Sequence, residues 1–293
     1  MNFYRQLSAE KKAGFNFSLL IVFYVFLSVL SSSIAVAIFG EGGFLSVFIS
    51  TLISPIAILI TLIINGREKG AHITIKPSLS GWYFYLLAIC LSLGMMLGFG
   101  FLNQAVANFL TMLSLKVKGV NLPLYNVWQY LAFVFSICVL PAICEELFFR
   151  RMMQSNLFGA NKILSYLSIA LIFALFHGSL TQFFYQFIYG FVLSVLADKS
   201  RCVLPAIFAH FLNNFLVITL SFFNVEIPFF NPLVIVAGLL LLAVFVLVIL
   251  FVKNNKPTQT NKENKVVKLK NLYLFASFGI FICTLLAVLN SVV

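Results

Sequence analysis

Long apolar blocks separated by short polar segments run the length of this chain. A hydrocarbon core of about 30 Å needs about 20 apolar residues of helix to cross it. Blocks of that size begin near Phe15, Phe44, Trp82, Val127, Lys162, Thr181, Arg201, Phe229 and Leu272, which predicts about nine transmembrane helices. The division between the fifth and sixth rests on the polar residues His177, Gly178, Thr181 and Gln182, and that stretch is open to another reading.

Composition leads to the same class. Of 293 residues, 62% are hydrophobic and 9% charged, and the mean hydropathy is +1.06. Such a chain cannot present a soluble surface. Charge placement tests the span count independently, because cytoplasmic segments collect Lys and Arg. With the N-terminus inside, Arg5, Lys11 and Lys12 fall on the inner side, as do Arg67, Lys69 and Lys76, then Arg150, Arg151 and Lys162, then Lys199 and Arg201. The Lys residues at 253, 256, 262, 265, 268 and 270 complete the set. Only Lys116 and Lys118 of the 19 basic residues fall outside, together with Glu41 and Glu226. The expected fold is therefore an all-α polytopic membrane protein, with a cytoplasmic N-terminus and the C-terminus outside. The net charge of +11 orients it in the bilayer and needs no nucleic acid to explain it. The Lys-rich loop 253–270 suits anionic lipid headgroups.

Three regions follow. Residues 1–126 hold helices one to three, 127–223 a core of helices four to seven, and 224–293 helices eight and nine with the 253–270 loop. The first apolar run ends in Ala35-Val36-Ala37, an A-x-A-like site, but at over 20 residues it is long for a signal peptide, whose apolar part is about 7–15 residues, and a retained helix is the favoured reading over cleavage. Cys90, Cys138, Cys144, Cys202 and Cys283 show no C-x-x-C spacing and read as small hydrophobes. Gly94 and Gly98 form a GxxxG in the third span, read as a helix contact.

Against this background Glu145, Glu146 and Arg150 are expensive. A carboxylate at the centre of a membrane helix costs about 2.5–3.5 kcal/mol on insertion scales, so such residues face protein or water and serve a purpose. Glu146 and Arg150 are four residues apart, a good ion-pair spacing. Successive helical residues diverge by about 100°, so Glu145 points elsewhere and is the candidate base. His177 ends the fifth span, and His210 and Asn214 share one face of the seventh. The remaining histidine, His72, is expected to be a solvated cytoplasmic residue.

At about 1.5 Å per residue, Glu145 falls roughly 18 Å above the inner end of its helix, His177 roughly 21 Å, His210 roughly 12 Å and Asn214 roughly 18 Å. The four share one layer near mid-membrane. Taken singly, each has a plainer explanation: a Glu–Arg pair as a packing or topology device, a lone His at a helix end as an interfacial group, an Asn as interhelical glue. Their conjunction at matched depth points to chemistry.

The ordered set Glu145-Glu146 with Arg150, Phe173 with His177, and His210 with Asn214 resembles the CAAX-protease and bacteriocin-processing family of intramembrane endopeptidases, which includes the Rce1-like prenyl-protein proteases. The resemblance covers about Val127 to Phe223. One departure is Arg151, where glycine often follows the motif arginine. The resemblance implies that Glu145 and His177 activate water and that His210 and Asn214 stabilise the oxyanion formed when it attacks a peptide carbonyl. Glu146 and Arg150 are then the structural ion pair. Family members are often labelled metalloproteases, and Glu145, His177 and His210 would supply a zinc-type donor set. A glutamate-activated water beside an Asn-containing oxyanion hole needs no metal, and that mechanism is favoured, with zinc as the alternative.

The expected function is hydrolysis of a peptide bond in a membrane protein or peptide substrate, by a multi-pass protein of the cell membrane. Prenylated substrates are not carried over from the family. The alternatives are a non-catalytic bacteriocin-immunity or scaffold protein, and an ion- or proton-coupled transporter. No inverted repeat supports the last.

Overall fold

The structure, a computed structural model, describes residues 2–40, 42–65, 71–76, 81–115, 117, 122–252 and 267–291. Glu41, Arg67, Lys69, Lys116, Lys118 and residues 253–266 of the Lys-rich loop lie outside the described residues. The described chain is almost entirely helical, and its only β pairing is two isolated bridges.

A short N-terminal helix, α1 (Asn2–Gln6), precedes α2 (Ala9–Phe39) and α3 (Phe44–Asn65). The third block forms α4 (Tyr83–Phe99) and α5 (Phe101–Met112), divided at Gly100. The fourth begins with α6 (Val127–Phe133), passes through a π-helical segment, Val134–Val139, into α7 (Leu140–Glu146), and ends in a second π-helical segment, Leu147–Gln154. Then follow α8 (Lys162–Phe176), α9 (Phe183–Ser200), α10 (Leu204–Phe222), α11 (Pro232–Phe251) and α12 (Leu269–Ser291).

Among the described residues seven helical runs are long and apolar enough to cross a membrane: α2, α3, the joined α4–α5, the fourth block, α10, α11 and α12. The protein is a multi-pass membrane protein. The two remaining predicted blocks form α8, of 15 residues, and α9, of 18 residues, which pack on each other. They are separate helices, divided where His177 to Gln182 interrupt the apolar run.

Two apolar clusters organise the bundle. One joins α2, α3, α8 and α12 to Cys144, Phe148, Phe149 and Met152 of the fourth block. The other joins α4, α9, α10 and α11. The polar residues of the fourth block, Glu146 and Arg150, bond to α9 and α10 of the second cluster, while the Arg150 guanidinium rests on Phe173 of the first.

The Gly94/Gly98 pair of α4 faces Gly238 of α11, and a Cβ on Gly238 would run into the backbone of Leu97 and Gly98. This confirms the helix contact read from the GxxxG spacing. Because no side chain can give way there, Gly238→Val is expected to lower stability by about 1–3 kcal/mol through overpacking. Unfolding in detergent micelles measures it; an unchanged midpoint would show that α4 and α11 can separate freely.

His72 departs from expectation. Instead of being solvated, it is packed against Phe158 and Asp198 at one end of the bundle, its side chain 11% exposed and its ring stacked 3.7 Å from that of Phe158. Nε2 is 3.1 Å from Asp198 Oδ1, and Arg201 Nη1 is 2.9 Å from Nδ1. Burial holds the imidazole below its ordinary titration range despite the Asp198 contact. The reason is that the 71–76 segment folds back onto the bundle. Thr74 N–H donates to the Arg201 carbonyl, Val203 N–H to the Thr74 carbonyl, and Ile73 N–H to the Ser155 hydroxyl.

Candidate active site

Pro141 lies in the first turn of α7 and has no N–H to give the carbonyl four residues before it, which is that of Ile137. Within a bundle an unpaired carbonyl must find another donor. It finds Asn214, whose Nδ2 donates to Ile137 O at 3.0 Å and ties α10 to the fourth block. The π-helical segments on both sides of α7 widen the backbone where the acidic pair sits, a distortion frequent at functional sites.

Glu146 is fully buried and its Oε1 takes two donors, Arg150 Nη1 at 3.0 Å and His210 Nδ1 at 2.9 Å. The predicted ion pair is therefore present, and it has a second duty that the i, i+4 spacing did not reveal: Glu146 orients His210. Arg150, also fully buried, donates through Nη2 to the Gly190 carbonyl at 3.2 Å, and its guanidinium lies 4.4 Å from the Phe173 ring centre. One turn further on, Gln154 Nε2 donates to the Ser194 carbonyl at 2.9 Å. The fourth block is thus laced to α9 at two successive turns.

Phe173 is the pivot of the site. Its buried ring stands edge-on to both histidines, 4.6 Å from His177 and 5.9 Å from His210 between ring centres, with Arg150 over its face. His177 Nδ1 donates to the Phe173 carbonyl at 2.8 Å, one of the last-turn carbonyls for which α8 has no further donor. Nδ1 is thus the hydrogen-bonded ring nitrogen in both histidines. Tyr189 of α9 adds another ring edge 6.3 Å from His210.

Glu145 is buried, at 6% exposure, and within electrostatic reach of His210, Glu146 and Arg150. No hydrogen bond joins it to His177, His210 or Asn214, and its Oε2 is buried without a protein partner, as are Glu146 Oε2 and Arg150 Nε. Orphan polar atoms are uncommon in a folded interior, and here three lie on neighbouring side chains. Glu146, Arg150 and His210 are enclosed, while His177 and Asn214 are only half-buried.

The structure thus gathers His177, His210, Glu146 and Arg150 around Phe173, with Glu145 alongside and Asn214 one helical turn from His210. A metal would need convergent donors. Among the described residues no three His, Cys, Asp or Glu side chains are placed to hold one, and Glu145, His177 and His210 form no such group. Three partners lay beyond reach of the sequence pattern: the Ile137 carbonyl, the Gly190 carbonyl and the shared use of Glu146. Only Pro141 offered a signal, by exposing Ile137.

Residues 127–216 match the family model described as Type II CAAX prenyl endopeptidase Rce1-like. The matched stretch opens at the first residue of α6, ends within α10, and contains Glu145, Glu146, Arg150, Phe173, His177, His210 and Asn214. No curated protein and no solved structure matches the chain. The family match supports a peptidase embedded in the membrane.

Proposed function

We propose that the protein is an intramembrane endopeptidase that hydrolyses a peptide bond of a membrane-associated protein or peptide, using water activated by Glu145 and His177. One observation carries the reading. Of two adjacent buried carboxylates, Glu146 is held through Oε1 by Arg150 and His210, whereas no hydrogen bond to another described residue engages the Glu145 side chain beside the same histidine.

In this reading a water molecule gives a proton to Glu145, or to His177 Nε2, as its oxygen attacks the peptide carbonyl. The carbonyl oxygen becomes an oxyanion and accepts hydrogen bonds from Asn214 and His210. Asn214 has a second Nδ2 proton beyond the one spent on Ile137. His210 can donate from Nε2 only as the doubly protonated ring, with Glu146 as its counter-charge. Collapse of the intermediate breaks the C–N bond, and the proton held by the base passes to the leaving amine. Arg150 holds Glu146 in place, and no step passes through a metal.

The test is cleavage of a membrane-anchored peptide by purified protein in vesicles prepared in ¹⁸O-enriched water. The expected product carries one ¹⁸O in its new carboxylate and forms equally well in the presence of a strong chelator. Binding of the peptide without cleavage would instead make the protein a scaffold or immunity factor. Activity lost to chelator and restored by zinc would replace the metal-free mechanism.

A further inference from the structure

Helix α12 lies outside the stretch that matches the family model, yet its last turn is bonded to the chain directly after His177. Asn290 Nδ2 donates to the Gly178 carbonyl at 3.2 Å, and Leu180 N–H donates to the Ser291 hydroxyl at 3.0 Å. Both polar groups stand at the end of an apolar helix, and Ser291 is 4% exposed. The buried Ser291 hydroxyl would be costly unless it were paired, while Asn290 is exposed and reaches back to the turn through its amide.

The turn they grip is a specific one. Gly178 has φ +57°, in the left-handed region where glycine is favoured, and its N–H closes on the Leu175 carbonyl at 3.0 Å. This makes His177 the last residue before the chain leaves the helical path. Among the described residues its ring has one hydrogen bond, to the Phe173 carbonyl, and ring contacts with Phe173 and Phe176, so its placement follows the backbone at the end of α8. Further down, α12 packs on α8, and Tyr273 donates its hydroxyl proton to Ser168 at 2.8 Å. The strut is therefore anchored to α8 at one end and to the turn that follows α8 at the other.

We propose that Asn290 and Ser291 are positioning residues for His177, with α12 acting as a strut that fixes the turn from which the catalytic imidazole projects. The assignment of His177 to catalysis rests on the peptidase reading; the geometric coupling does not.

The experiment uses the full-length protein labelled with ¹⁵N-histidine, whose three histidines give separable signals assigned by single substitutions. Asn290→Asp, which keeps the size but removes the donor, and Ser291→Ala are each expected to shift the His177 ring nitrogens and leave His72 and His210 in place. Ser291→Thr, which retains the hydroxyl, is expected to leave all three unchanged. In the vesicle assay the first two variants are expected to lower kcat by about 10- to 100-fold at constant KM, the scale of a misplaced catalytic group. An unmoved His177 signal, or three signals moving together, would overturn the proposal. A selective His177 shift in a protein that cleaves nothing would uphold the strut and refute the peptidase reading.

Discussion

Glu145→Gln is expected to abolish most peptide cleavage, lowering kcat by about 10²- to 10⁴-fold, the usual contribution of a positioned general base. Glutamine keeps the shape and a hydrogen-bonding oxygen, but it cannot accept a proton from water at neutral pH. The substitution also removes one of two adjacent buried negative charges, so the fold should be unharmed or slightly more stable. This combination separates a catalytic role from a structural one. Kinetics and detergent unfolding on the same preparation measure both. Cleavage within a few-fold of the starting protein would remove Glu145 from the mechanism, and a large loss of stability would make it a structural group.

Arg150→Met should have the opposite signature. Removing one partner of a buried pair leaves the other charged and alone, at a typical cost of about 3–5 kcal/mol. Here Glu146 would lose its Nη1 donor, the Gly190 carbonyl its Nη2 donor, and Phe173 the cation on its face. Replacing both partners, as in Arg150→Met with Glu146→Leu, should recover much of the stability, because an apolar pair of similar volume satisfies the site without desolvating charge. The double variant should remain inactive, since His210 has lost its acceptor. A double-mutant cycle reads the coupling directly. If the single variant unfolds like the parent, the buried pair is not what holds the seam between the two apolar clusters.

The two predictions rest on different kinds of legibility. The ion pair could be read from spacing, since residues four apart on a helix meet whatever the rest of the chain does. The π-helical turn beginning at Leu147 did not prevent it. That Glu146 also holds His210 could not be read, because it depends on how α10 packs against the fourth block, 64 residues away along the chain. The same limit explains His72: its loop has the composition of a solvated inner segment, but backbone pairing of Thr74 with Arg201 and Val203 folds it into the bundle.

Hydropathy and charge along the chain determined the class of protein, the limits of most helices and the division between α8 and α9. These are local properties, set by what the bilayer tolerates over about 20 residues. The order of the motif residues likewise singled out Glu145, Glu146, Arg150, His177, His210 and Asn214. Only the tertiary structure decided which carboxylate is bonded to Arg150 and His210 and which makes no side-chain hydrogen bond, that Phe173 stands between the two histidines, and that the last turn of α12 reaches the turn after His177. Those facts depend on side-chain contacts between distant segments, and no periodicity along the chain encodes them.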